Sequence, residues 1–445
     1  MPSAVRKLKT VQLTAVIFLT VSGGPYGLES LLTYAGTDGA LLLLLITPLL
    51  WDVPTILTVM ELNSMMPVTG GYYQWVKKAM GLRWAFYEGW WTWLYTFVDL
   101  AIYPFLFVSY AAYLFPEIAL YKWPVCIIII WVSALLNILG IVPVGKVSLT
   151  LGAVVIAPFI VMAIYFFVSQ HGKIIFPSPG IHNSFSSTGM GLYTILWNFI
   201  GWDNATTYAE EVEHPVTSYV KSTTLAFICI FLLYLITIYI SGTSGVNISS
   251  LESGGFPVLG NFIAGKWLGN LIALGGMASA LGLYSAVLLS VSRVPESMAT
   301  DGLLPKLLTR LHKKFNTPYV SIIACSLVVS MLVFWAFEEL LVIDITLYGA
   351  ALVLEFIALI IFRKNFPGLY RPFKIKLNTI GLYFLFIPPL CIYFIAIWAA
   401  FNHSNKTLAS LLFAAASILT GEILWQILKR RRKGNIGQSL VNNFT

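Results

Sequence analysis

The stretch VIFLTVSGGPYGLESLL, residues 16–32, decides how this chain is read. It is apolar enough for a helix in lipid, yet Gly23, Gly24, Pro25 and Gly27 fall at its middle. Proline removes a backbone donor and clashes with the preceding turn. Glycine lowers the penalty for leaving the helix. Together they predict an interruption at about Ser22–Gly27; the plainer alternative is a proline kink in a continuous helix. A second such stretch is LYTILWNFIGWDNATTYAEEVEHP, residues 192–215, where Gly201, Asp203 and Asn204 cluster between apolar flanks. Asp and Asn compete for backbone groups and favour turns, which predicts a break at about Ile200–Asn204.

The rest of the chain is the setting for these two breaks. Of 445 residues 58% are apolar and 10% charged, against about 25% charged in an ordinary soluble domain. Mean hydropathy is +0.82. So few charges cannot cover a soluble surface, so the chain reads as an integral membrane protein. Apolar windows of spanning length recur at 11–35, 40–62, 86–114, 123–142, 147–169, 189–212, 220–241, 267–292, 318–337, 340–362, 379–401 and 407–428. Spans must satisfy their own backbone groups, so the fold class is all-α with twelve transmembrane helices. The first window lacks an A-x-A cleavage site and is longer than a signal peptide's core, so it reads as a retained span.

Lysine and arginine orient the spans, because cytoplasmic loops attract them. With the N-terminus inside, only Lys122, Lys173, Lys266 and Lys406 of the 27 basic residues fall outside. The inner set includes Arg6, Lys7 and Lys9, the loop 293–314, the loop 363–376 and the run Lys429–Lys433. Both termini are then cytoplasmic. The net charge of +8 reflects this orientation, and the terminal run anchors at anionic lipid; no nucleic acid is implied.

Each break lies in the first of five spans. Interrupted segments at corresponding positions of two halves point to a secondary transporter with inverted repeats and a site near the midplane. The expected organisation is one transmembrane domain over 1–445. Its first repeat covers about 11–169, its second about 189–362, with extra helices at about 379–428 and a basic tail at 429–445. Freed amides, those of Gly23 and Gly24 among them, would face an anion, and freed carbonyls a cation.

The same segments resemble the amino acid–polyamine–organocation superfamily. The resemblance rests on SGGPYGLES (22–30), ELNSMMPVTGGYYQWVKKAMG (61–81), GWWTWLYTFVDLAIYPFLF (89–107), LWNFIGWDNATTYAEEVEHP (196–215), SRVPESMATDGLLP (292–305) and YRPFKI (370–375). Within the superfamily they are most similar to the branch of plant polyamine uptake and L-type amino acid transporters. The resemblance implies a leucine-transporter-type fold with 5+5 inverted repeats and discontinuous helices 1 and 6. It also implies secondary transport of amino acids or amines, by proton symport in some members and by exchange in others. Some relatives use a lysine in the fifth span for coupling. This chain has no Lys or Arg between 147 and 172, so a coupling proton must sit elsewhere.

A carboxylate at the centre of a membrane helix costs about 2.5–3.5 kcal/mol on insertion scales, so each one demands a reason. Asp99 lies within the third span, Asp203 at the second break and Glu29 just past the first. In the resembling fold these line one cavity and suit a cationic amine. The expected substrate site comprises Ser22, Gly23, Gly24, Pro25 and Tyr26 at the first break, Asp99 and Tyr103 opposite, and Trp197, Ile200, Gly201, Trp202 and Asp203 at the second. Glu29, Asp99, Asp203 and Glu355 are the proton-coupling candidates; packing or capping is the alternative for Asp99. Asp52 reads as bonding the backbone freed by Pro54, Glu61 as holding a cytoplasmic loop, and Asp344 as solvated near the outer surface. Glu210, Glu211 and Glu213 read as a solvated face, or as a gate paired with the Lys77–Arg83 loop. The small-residue stretch GGMASALGLYSA (275–286) reads as close packing against the first span.

No metal or cofactor is implied. Cys126, Cys229, Cys325 and Cys391 stand singly. His171, His182, His214, His312 and His403 all lie in polar connections, which leaves an intramembrane enzyme without a base. The sequence therefore reads as a secondary active transporter of amino acids or polyamines in the plasma membrane, with H+ as coupling ion and alternating access. The alternatives are an exchanger without proton coupling, or a non-transporting sensor, which would typically carry an appended soluble domain.

Overall fold

The computed structural model describes residues 7–169, 184–333 and 337–442. Arg6, His171, Lys173 and His182 lie outside the described residues, as does the end of the basic tail at 443–445. Among the described residues the chain is helical, without named strands and with two isolated bridges, Leu8 to Val212 and Thr69 to Tyr208.

The chain begins with α1 (Thr10–Val21) and, after the Gly/Pro stretch, α2 (Glu29–Thr47), which turns at Gly36. A π-helical turn at Pro48–Asp52 leads into α3 (Val53–Met65). Then come α4 (Gly71–Met80), α5 (Leu82–Leu114), α6 (Lys122–Ile138), α7 (Ile141–Ser169) and α8 (Phe185–Trp197). The remainder is α9 (Pro215–Thr243), α10 (Ile248–Gly254), α11 (Phe256–Ala264), α12 (Lys266–Val291), α13 (Arg293–Thr300), α14 (Tyr319–Leu332), α15 (Phe337–Asn365), α16 (Thr379–Phe401) and α17 (Asn405–Asn442). Among the described residues nine helical stretches are long and apolar enough to cross a membrane, and α1 and α14 are shorter apolar helices.

Helices α5, α12 and α15 form the centre, while α6, α7, α16 and α17 turn large apolar side chains such as Ile128, Ile164, Phe384 and Leu419 outward. Small residues let α12 sit so deep. A Cβ at Gly275 would lie 2.3 Å from the Tyr26 hydroxyl, and one at Gly276 2.4 Å from the Tyr110 ring.

Helices α5 and α15 set the register of the core. Leu106 and Leu341 line one cavity, the Tyr95 and Tyr348 rings touch at 5.2 Å, and Glu88 lies within electrostatic range of Glu355. Numbers rise along one helix as they fall along the other, so the pair is antiparallel.

The end of the bundle rich in Lys and Arg is tied by ion pairs. Glu61, fully buried, takes a two-pronged bond from Arg363 at 2.5 and 2.6 Å, and the Ile375 amide at 2.8 Å. Breaking a buried pair by removing one partner costs about 3–5 kcal/mol. Arg363→Met is therefore expected to lower the melting temperature in detergent by several degrees, with Arg371, 3.4 Å from Glu61, compensating only in part. In the acidic loop 210–213, Glu210 and Glu213 are exposed, as the solvated-face reading has it, while Glu211 departs from both readings. Glu211 pairs with buried Arg293 at 2.6 Å, Glu210 accepts from Thr69, and Lys77 pairs with Asp301. Arg293 reaches Glu211 because α13 begins directly beneath this loop.

Candidate functional site

At the first break the helix ends at Val21 and resumes at Glu29. Gly23, Gly24 and Gly27 have φ of 60°, 95° and 91°, values that favour glycine. Gly27 is further constrained by its neighbour, since a Cβ there would lie 2.7 Å from the Trp197 ring. The amides exposed by the break are not free. Gly23 donates to Phe18 O at 3.0 Å and Gly24 to Ser22 Oγ at 3.0 Å. Gly27 donates to Glu29 Oε2 at 2.7 Å. The expectation that Gly23 and Gly24 amides receive an anion therefore fails in this conformation: the chain supplies its own acceptors. Glu29 is buried and its other oxygen accepts from Tyr110 Oη at 2.9 Å and the Phe256 amide at 3.1 Å. Tyr26 points away from the break and donates to Ile272 O.

At the second break α8 ends at Trp197, and Gly201 adopts φ 90°. Beyond it the chain forms two short 3-10 turns, Asn204–Thr207 and Ala209–Glu211, rather than an α-helix. The hydroxyls of Thr206 and Thr207 bond back to Asp203 O and Asn204 O, a local competition that opposes regular helix. This segment is held by its neighbours instead. Leu8 bonds Glu211 O and Glu213 N, and the Gly70 amide bonds Thr207 O.

The acids sort into separate stations. Asp99 accepts from Tyr103 Oη at 2.5 Å and Trp197 Nε1 at 3.1 Å. Asp203 accepts from Tyr348 Oη at 3.4 Å and lies beside the buried carboxyl of Glu355. Ionised carboxylates only accept, so a contact between two carboxyls requires a proton between them. Trp202, by contrast, donates to Asp52 Oδ1 at 2.9 Å; Asp52 thus holds an indole, not the backbone beside Pro54. Asp344 is fully buried rather than solvated, because α15 starts earlier than the apolar window and carries it inside. Ile200 is buried at the break, and Gly201 supplies its turn at φ 90°.

A cavity of about 490 Å³ opens beside the first break, lined by Gly27, Glu29, Tyr110, Thr194 and Leu341 among others. A second, of about 970 Å³, lies at the basic end between Lys7, Glu211, Arg293 and Lys314. The sequence reading overlooked Glu88, buried in α5 with Oε2 unbonded, and the ring pair Tyr95–Tyr348. A signal was present: Glu88, Thr92, Tyr95, Asp99 and Tyr103 recur at helical spacing, one polar stripe along a membrane helix.

A family model described as amino acid permease matches residues 8–422. The chain is 31% identical to a polyamine transporter of Arabidopsis thaliana, over 96% of this chain and 86% of the relative. It is 30% identical to a polyamine transporter of Oryza sativa subsp. japonica, over 97% of this chain and 81% of the relative. A serine/threonine exchanger of Bacillus subtilis (strain 168) is 24% identical, over 72% of this chain and 74% of its own length.

Proposed function

The chain belongs to the amino acid permease family and is a multi-pass membrane transporter, and from that premise we propose that it is a proton-coupled secondary transporter of polyamines working by alternating access. The observation that carries the substrate is the state of the first break. An amino acid needs amide donors for its carboxylate, and here those of Gly23, Gly24 and Gly27 are taken by Phe18 O, Ser22 Oγ and Glu29. Glu29 acts as a built-in carboxylate. A substrate without a carboxylate displaces nothing, and a polyamine is one. The names of the plant relatives support the same reading.

Asp203 and Asp99 are the substrate acids in this reading, with Trp197 and Tyr103 orienting Asp99. The proton is held between Asp203 and Glu355, two buried carboxyls side by side. Glu29, bonded to three donors, is positional. Twelve spans follow when the short apolar α1 and α14 and the α8–3-10 segment are counted with the longer helices. The two repeats are 11–169 and 189–362, followed by helices 379–428 and the tail 429–445. The basic loops support cytoplasmic termini, and the plasma membrane is part of the same proposal.

The test is uptake of labelled putrescine into proteoliposomes. Accumulation is expected when the outside is made acidic. Excess spermidine should compete, and excess leucine should not. Leucine competing as well as spermidine would refute the polyamine reading, and pH-independent, sodium-dependent uptake would refute the proton.

A further inference from the structure

The antiparallel register of α5 and α15 places their acids opposite one another. Tyr95 touches Tyr348, so one turn along each helix, away from the basic end, Asp99 faces Asp344, and the two lie within electrostatic range. Asp344 is 0% exposed, and neither of its carboxylate oxygens has a hydrogen-bond partner. Among the described residues no ion pair joins a lysine or arginine to Asp99, Asp203 or Asp344. Two buried carboxyls facing each other with no resident cation favour a bound positive charge. Among the described residues no group of three acids, histidines or cysteines is placed to hold a metal ion.

The cavity leads to this spot. Leu341, Leu106 and Thr194 line it, and each lies three residues from a member of the deeper layer: Asp344, Tyr103 and Trp197. Asp99 and Asp344 therefore form the layer beneath the cavity, with the Tyr103 and Trp197 rings beside them at 6.4 Å from each other. Asp203 belongs to the next layer, bonded to Tyr348. Four residues of helix separate the layers, about 6 Å along the axis, a gap that an extended four-methylene chain bridges.

We propose that Asp344 and Asp99 form a second ammonium seat, one helical turn from Asp203 toward the cavity, which selects amines carrying two positive charges. This rests on the cationic-amine reading above. The first ammonium bonds Asp203; the second completes Asp344, whose oxygens are otherwise bare, and shares Asp99 with Tyr103 and Trp197. A monoamine fills one seat and leaves the other carboxyl pair uncompensated.

The experiment compares equilibrium binding of putrescine and butylamine, a monoamine of equal chain length, to the full chain in proteoliposomes. Wild type, Asp344→Asn, Asp344→Glu and Asp99→Asn are measured, with thermal melting as the folding control. Wild type should bind putrescine at least tenfold tighter than butylamine. Asp344→Asn should bring the two within about threefold, a loss in the range set by one charge-assisted hydrogen bond, while Asp344→Glu keeps part of the preference. Should Asp344→Asn fail to fold, Asp99→Asn carries the same expectation. A wild type that does not discriminate, or folded variants with undiminished preference, overturns the second seat and leaves a cationic-amine transporter standing. Binding of neither amine by the wild type overturns the cationic reading itself.

Discussion

Asp203→Asn is expected to weaken putrescine binding by roughly 10- to 150-fold, since a charge-assisted hydrogen bond contributes about 1.5–3 kcal/mol and each 1.4 kcal/mol is tenfold. The side chain is buried at the second break, where it accepts from Tyr348 and lies beside the carboxyl of Glu355. Among the described residues no ion pair joins it to a lysine or arginine. Asparagine preserves the shape and can still accept from Tyr348, so folding should survive while the charge is lost. Equilibrium binding of putrescine, arginine and leucine to wild type and mutant checks this. Leucine should bind weakly to both. Tight leucine binding with no detectable putrescine or arginine binding in the wild type would leave a neutral amino-acid transporter.

Glu355→Gln is expected to abolish accumulation driven by a pH gradient while putrescine exchange continues. In the proposed mechanism Asp203 and Glu355 share one proton. When an ammonium arrives, Asp203 must be ionised to receive it, so the proton resides on Glu355 and travels with the substrate. Acidifying the outside fills this site on the loading side, and uptake rises as outside pH falls. Glutamine mimics the protonated carboxyl permanently. It lets substrate load and unload but carries no proton, so counterflow persists and the gradient no longer drives net uptake. Retained pH-driven accumulation in Glu355→Gln would place the proton elsewhere, with Asp99 next in line.

The two breaks were legible because their residues have local reasons to leave a helix: positive φ at Gly23, Gly24, Gly27 and Gly201, and no donor at Pro25. The acids Asp99, Asp203 and Glu29 could be singled out because charge in an apolar window is conspicuous, and all three are buried. What escaped the sequence depends on two elements at once. Asp344 looked solvated because its window position says nothing of which helix covers it. Glu88 was passed over, and only the register of α5 against α15 sets it opposite Glu355. That Glu29 would turn back onto the Gly27 amide is a matter of a side chain's direction, which spacing does not encode. The pairing of Glu61 with Arg363 lies between these cases: the acid was read as structural, but its partner, 302 residues away in sequence, was not named.

The segment after the second break borrows its backbone bonds from strangers. Leu8 and Gly70 supply three of them, to Glu211, Glu213 and Thr207. A true helix here could move only by bending or by melting turn after turn. A stretch laced to its surroundings can instead be unlaced as a piece, with water taking over each bond at a net difference of about 1 kcal/mol. Glu210 and Glu211 of this stretch line the basic-end cavity, so unlacing it would reshape that cavity's wall, and the bridge at Leu8 holds two of the three backbone bonds.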